Sequence, residues 1–134
     1  MDTPGLHHII LTVSDLAQSR AFYHDFLGFD VRDVPDEFGG TFFLMAGRTS
    51  IWFVTHDRTL PDDRFSEFRI GLDHLSFAAP SEDALQALAA KLIAAGLETQ
   101  GVQDYHDTGH RYVAFRDPDN IQLEYWLSPP RPVS

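Results

Sequence analysis

Short runs of crowded apolar residues, each closed by a polar or glycine turn, occur twice along the chain and predict two copies of one unit. The first opens with His8-Ile9-Ile10-Leu11-Thr12-Val13 and the second with His74-Leu75-Ser76-Phe77-Ala78-Ala79, both reading as strands. After each comes a capping residue and then a helical pattern. Ser14-Asp15 leads into Leu16, Phe22, Tyr23, Phe26 and Leu27, while Ser81 leads into Leu85, Leu88, Leu92 and Ile93. Gly28 and Gly96 stop the two helices. Beyond Gly28, residues 29–34, 41–46 and 50–55 read as three strands separated by the turns Glu37-Phe38-Gly39-Gly40 and Gly47-Arg48-Thr49. The second half repeats the plan, with strands expected at 97–103, 111–115 and 121–127 and a hairpin turn at Asp117-Pro118-Asp119-Asn120. The two strand–helix units begin about half the chain apart, so an internal duplication is the economical reading.

The expected organisation is one domain over residues 1–134: module one at about 5–58, a connection at about 59–71 and module two at about 72–128. The proline-rich tail Ser128-Pro129-Pro130-Arg131-Pro132 cannot extend a sheet, because proline lacks the ladder donor.

Side chains alternate across a strand, which places His8, Ile10 and Thr12 on one face and Ile9, Leu11 and Val13 on the other. The same parity separates His74, Ser76 and Ala78 from Leu75, Phe77 and Ala79, and Gln122, Glu124 and Trp126 from Leu123, Tyr125 and Leu127. The more apolar set suits a covering helix, so His8, His74 and Glu124 share the face turned away from the helices. Two imidazoles and a carboxylate can hold a divalent metal on one side and leave its other positions open. His8 is preferred to the adjacent His7 because only His8 has this parity. The competing reading makes His8 a strand-end surface residue and Glu124 an exposed strand carboxylate; against it, a buried carboxylate near two imidazoles needs a compensating cation or hydrogen bonds.

Composition narrows the function classes. The 134 residues are 43% hydrophobic and include eleven Phe, enough to bury a core, and with no cysteine there is no disulfide framework, thiolate metal site or thiol nucleophile. Neither a signal-peptide pattern nor an apolar run of membrane-spanning length is visible, so a cytoplasmic protein with no membrane partner is expected. A formal charge of −10 repels a phosphate backbone, and nucleic acid is not an expected partner.

His8 through Val13-Ser14-Asp15-Leu16, with Ser19, Phe22-Tyr23 and Leu27-Gly28-Phe29, resembles the opening of the vicinal oxygen chelate superfamily. That superfamily includes glyoxalase I, fosfomycin-resistance proteins, bleomycin-binding proteins and extradiol dioxygenases. The similarity continues through Leu72-Asp73-His74-Leu75 and the run from Phe115 to Glu124, covering nearly the whole chain. The resemblance implies an α+β fold in which two βαβββ modules form a partly open, mixed β-barrel around a metal cavity, with the helices outside, commonly within a homodimer. It also implies metal ligation by His8, His74 and Glu124, each at a family ligand position.

Departures from individual families narrow the expected chemistry. Glyoxalase I-like enzymes draw a fourth ligand from the last strand of the first module; here Ser50-Ile51-Trp52-Phe53-Val54-Thr55 offers no carboxylate, and His56 lies just beyond it. A three-ligand site with open positions is therefore expected. Fosfomycin-resistance proteins surround a phosphonate with cations, for which Lys91 on the second helix and Arg131 in the tail are poor candidates. Extradiol dioxygenases fit better. His106 stands at their signature spacing from Val113, and Pro118 and Glu124 follow in order, although Ala114 replaces the signature Tyr and Asn120 the usual Gly. Tyr112, on the face of Ala114, is the candidate replacement for the phenolic donor.

Phe43, Trp52 and Trp126 are expected to wall a pocket for an aromatic or polyketide-like small molecule, or else merely to fill core. Gln122 is expected to hydrogen-bond the ligand. His106 and His110 are the acid–base candidates, either of which can equally be a solvated loop residue. Two functions from different classes follow. One is a metal-dependent enzyme, dioxygenase-like in chemistry or else a glyoxalase-like lyase or isomerase, using Fe(II) by preference and Mn(II), Zn(II) or Ni(II) as alternatives. The other is a metal-free protein that sequesters an antibiotic or metabolite, as bleomycin-binding proteins do.

Overall fold

A computed structural model describes residues 1–133 and divides the chain into two units, Met1–Arg64 and the residues from Phe65 onward. The division falls inside the expected connection at 59–71. Each unit is a βαβββ module built on one open, mixed, four-stranded sheet, in agreement with the expected α+β class.

In the first unit, β1 (His8–Thr12) is followed by α1 (Leu16–Arg20), then β2 (Val31–Asp33), β3 (Phe42–Ala46) and β4 (Thr49–Val54). The sheet order is β1-β4-β3-β2, with β1 parallel to β4 and the other pairs antiparallel. Asp15 caps α1 by accepting from the Gln18 amide through its side chain, satisfying one of the free donors of the first turn. The helix does not continue regularly to Leu27 as its pattern suggests. It widens into a π-helical turn over Ala21–Phe26, which brings Tyr23 into full burial with its ring 4.5 Å from that of Phe53. Leu11, Val13, Phe42, Leu44, Ile51 and Phe53 complete this core, while His8, Ile10 and Thr12 are exposed on the opposite face.

In the second unit, β5 (Leu75–Ala78), α2 (Glu82–Ala94), β6 (Val102–Asp104), β7 (Arg111–Arg116) and β8 (Gln122–Leu127) give the sheet order β5-β8-β7-β6, again with one parallel pair, β5 with β8. Ser81 caps α2 through the Ala84 amide. Leu85, Ala89 and Leu92 are buried over Val113, Phe115 and Leu123, the helix packing on β6, β7 and β8. Ile93, expected with the apolar set, is 63% exposed because it lies one residue past the Leu85-Ala89-Leu92 stripe.

The strand expected from Leu97 begins only at Val102. Gly101 has φ +73, a left-handed conformation that interrupts an extended run, and the Thr99 hydroxyl donates to the Ala114 carbonyl in place of a backbone ladder. The turn between β7 and β8 forms where expected. Asp117 Oδ1 accepts from the amides of Asp119 and Ile121, and Asn120 adopts φ +71, a left-handed conformation that Asn tolerates better than most residues other than Gly. Among the described residues, no helix is long and apolar enough to cross a membrane.

Candidate metal and ligand site

The second unit carries two of the three expected ligands. Glu124 lies on β8 between Ser76 of β5 and Ala114 of β7, so its cross-strand neighbours on both sides are small. The residue is only 8% exposed, and its Oε2 lies 3.3 Å from Nε2 of His74. His74 comes immediately before β5, and its other ring nitrogen, Nδ1, is 2.6 Å from Oδ1 of Asp73. Two potential ligand atoms, one on an imidazole and one on a buried carboxylate, therefore face each other. Donors bound at about 2.0–2.2 Å to one tetrahedral or octahedral ion would lie roughly 3.0–3.5 Å apart, so the spacing suits two neighbouring ligands.

His8 lies on the edge strand of the first unit, opposite Ser50 and exposed, with its Nδ1 2.8 Å from Nδ1 of His7. Among the described residues, no three His, Asp or Glu side chains gather into a group that could hold a metal. The structure thus joins His74 with Glu124 within the second unit, while His8 belongs to the first. His56, considered as a fourth ligand, lies beyond the end of β4 and is exposed.

The aromatic candidates form a shelf on each sheet. On the first, Phe43 of β3 is opposite Trp52 of β4 and stacks on it with ring centres 4.5 Å apart, and the Trp52 indole donates to the Ser50 hydroxyl. On the second, Tyr112 is opposite Trp126 and stacks on it at 5.1 Å, with Tyr105 also against the Trp126 ring. The Trp126 indole N–H donates to Nδ1 of His110 at 2.9 Å. An indole nitrogen only donates, so His110 Nδ1 accepts and a neutral His110 carries its proton on Nε2. His106 lies at the margin of this arrangement, in the exposed turn before β7 with φ +51 and its ring against Tyr105. Gln122 occupies the Glu124 face, opposite Arg116.

Arg116, which sequence reasoning passed over, shares that face. It makes two hydrogen bonds to Glu67, at 2.9 and 2.7 Å, and a third to the Asn120 carbonyl. The Arg116 guanidinium holds the Glu67 carboxyl down at about 2, and Glu67 in turn raises Arg116 further. The Asn120 side chain donates to the Phe65 carbonyl, so the middle of the connecting segment is pinned to the β7–β8 turn. Arg116, on the Glu124 face of β7, is therefore already paired and is a poor partner for a phosphonate. No sequence signal pairs Glu67 with Arg116 across 49 residues. Asp73 was visible as the residue before His74, but its contact with the ring was not.

Comparison with known proteins agrees with this architecture. The profile of the Glyoxalase/Bleomycin resistance protein/Dioxygenase superfamily matches residues 5–125. The Bacillus subtilis (strain 168) protein YwkD, itself uncharacterised, is 34% identical over 127 residues, covering 91% of this chain and 95% of that protein. A glyoxylase/bleomycin resistance protein/dioxygenase domain from Frankia sp. EAN1pec superposes with a TM-score of 0.78 at 35% identity, covering 98% of this chain and 96% of that one. A lactoylglutathione lyase from Agrobacterium tumefaciens shares the fold alone, with a TM-score of 0.69, 19% identity and coverage of 95% and 96%. With the profile spanning both modules, this chain belongs to the glyoxalase/bleomycin resistance protein/dioxygenase superfamily.

Proposed function

We propose that the protein is a divalent-metal-dependent enzyme acting on a small organic substrate through vicinal oxygens, with dioxygenase-like chemistry favoured. The observation that carries this reading is the His74–Glu124 pair. Among the described residues, His74 is the polar side-chain partner of the buried Glu124 carboxylate. Glu124 and His74, with His8 added as the third ligand, form a donor set of two imidazoles and a carboxylate, which suits Fe(II) and leaves coordination positions free. A divalent ion held there would stabilise negative charge developing on substrate oxygens.

The chain's own groups would then orient the substrate. The Tyr112–Trp126 shelf lies two cross-strand pairs from Ala114–Glu124, the next pair on the same face, offering a flat apolar surface beside the ligand carboxylate. Tyr112 is the candidate proton donor and His110, held by Trp126, the candidate acid–base group; Gln122 supplies a further hydrogen bond. Unchanged turnover and substrate affinity in Tyr112→Phe would remove Tyr112 from this role.

Metal analysis of protein purified without chelator provides the main test. One equivalent of metal in the wild type, lost in His8→Ala, His74→Ala and Glu124→Ala, is expected; unchanged metal in the variants would overturn the ligand assignment. Anaerobic reconstitution with Fe(II) and a substrate screen with and without oxygen then separates oxygenation from lyase or isomerase chemistry. The aromatic shelves and the −10 charge also favour a second reading, a metal-free protein that sequesters a cationic aromatic compound. Tight binding of such a compound by metal-free protein, with no metal retained by the wild type, would support it instead.

A further inference from the structure

His110 comes immediately before β7, with the parity of Tyr112 and Ala114, and is held at both its backbone and its ring. Its carbonyl accepts from the Tyr105 amide at 2.9 Å and its amide donates to the Thr108 hydroxyl at 3.2 Å, closing the turn that precedes the strand. Its ring is fixed by Trp126, whose indole N–H donates to Nδ1 at 2.9 Å. Because that N–H can only donate, the Nδ1 lone pair is committed to Trp126 and the proton of the neutral imidazole sits on Nε2.

Among the described residues, Nε2 of His110 has no hydrogen-bond partner. The half-buried ring therefore offers a donor, and no acceptor, to a neighbouring molecule. Beside it, Tyr112 and Trp126 stack with their planes 15° apart, and Tyr105 flanks the same indole at 5.1 Å. The stacked rings suit a flat ligand, and the His110 donor selects the chemistry of its end. A ligand with an oxygen acceptor there satisfies the donor, whereas one without it leaves the donor unpaired. An ammonium group carries only donors and finds nothing at Nε2 to accept them.

We propose that His110 determines specificity: with Nδ1 held by Trp126, its Nε2–H selects a planar ligand that presents an acceptor oxygen, of carbonyl or phenolate type, at the His110 end of the Tyr112–Trp126 shelf. Trp126 has two parts in this, as a wall of the shelf through its ring and as a positioning residue for His110 through its N–H. The proposal rests on the reading above that a small organic ligand lies on the Glu124 face, and it is independent of a metal.

The test uses ¹⁵N-labelled protein at about pH 8, above the ordinary imidazole range. Long-range ¹H–¹⁵N spectra report which nitrogen of His110 carries the proton, with His110→Phe identifying the signal. Nε2–H is expected in the wild type, and a shift towards Nδ1–H in Trp126→Phe, which keeps a ring in the shelf but lacks the N–H. Two bicyclic probes of similar size are then titrated: coumarin, whose carbonyl only accepts, and free indole, whose N–H only donates. The chain has two Trp, so the indole N–H signal of Trp126, assigned with Trp126→Phe, reports whether a probe reaches the shelf. The wild type should bind coumarin about 2–10-fold more tightly than indole, the worth of one neutral hydrogen bond. His110→Phe and Trp126→Phe should lose that preference, and His110→Gln, whose amide both accepts and donates, should keep part of it. Thermal unfolding confirms that each variant is folded.

If both probes move the Trp126 signal but bind the wild type equally, or the preference survives in His110→Phe or Trp126→Phe, the role of His110 is wrong and the ligand shelf stands. A wild-type His110 with its proton on Nδ1 also overturns the proposal. If neither probe moves the Trp126 signal at its solubility limit, the shelf is not a ligand surface, and the proposal falls with the reading it rests on.

Discussion

Glu67 and Arg116 show how one pair of residues ties distant parts of a module together. Glu67 comes from the connecting segment and Arg116 from the end of β7, and their two parallel hydrogen bonds combine charge with fixed geometry. Because the Glu67 carboxyl is held at about 2, below the ordinary carboxylate range, the folded state binds its proton less readily than the unfolded chain does. The resulting stabilisation is complete above the ordinary range, falls as pH drops below it, and is gone once pH passes below about 2. Glu67→Gln should therefore unfold at a lower temperature than the wild type at neutral pH, with the difference shrinking in acid. A gap that stays constant from neutral pH into acid would show that the pair is not the source. Asp73 and His74 belong to the same scale. Their adjacency was evident from the sequence, but the direction of the ring was not, because a side-chain torsion decides it.

At the scale of the element, α2 stabilises the second unit through one stripe. Leu85 is fully buried and Ile93, one residue past the stripe, is 63% exposed. Leu85→Ala should cost about 2–5 kcal/mol by leaving a cavity over β7 and β8, while Ile93→Ala should change stability by no more than about 0.5 kcal/mol. Denaturant titration of both variants checks this, and equal losses would mean that the helix is rotated from the orientation described. The strands tell a similar story of pattern and override. Parity correctly separated Leu11, Val13, Leu123 and Val113 from the exposed His8 and Ile10. The same kind of pattern misjudged the start of β6, because Gly101 takes a left-handed conformation that apolar spacing does not reveal. It also missed the π-helical turn after Arg20, where burial of Tyr23 against Phe53 outweighs regular helical hydrogen bonding.

For the whole molecule, an ion that binds the folded but not the unfolded state stabilises it by mass action, by about 2.7 kcal/mol at a hundred times its dissociation constant, and so raises the unfolding temperature. Adding Zn(II) or Fe(II) to chelator-treated wild type should raise the midpoint, and removing it should reverse the change. Glu124→Ala should show no such response; a wild-type-like rise in that variant would locate metal binding elsewhere. Light scattering is expected to give twice the chain mass, and a monomer at all concentrations would exclude the homodimer that the family resemblance implies.

The sequence by itself determined the two βαβββ modules, their helix caps and the face on which each candidate ligand lies. Those features depend on local backbone geometry: a period of two in strands, a 3.6-residue repeat in helices, and a capping side chain within a turn of its target. It could not determine which distant groups meet. The approach of His74 to Glu124 follows from the parallel pairing of β5 with β8, the small residues Ser76 and Ala114 flank Glu124 only in that register, and Glu67 reaches Arg116 only once the connecting segment is laid against the β7–β8 turn. Strand pairing and register are set by burial summed over the whole sheet, so only the tertiary structure decided that two of the predicted ligands face each other and that Arg116 is already paired.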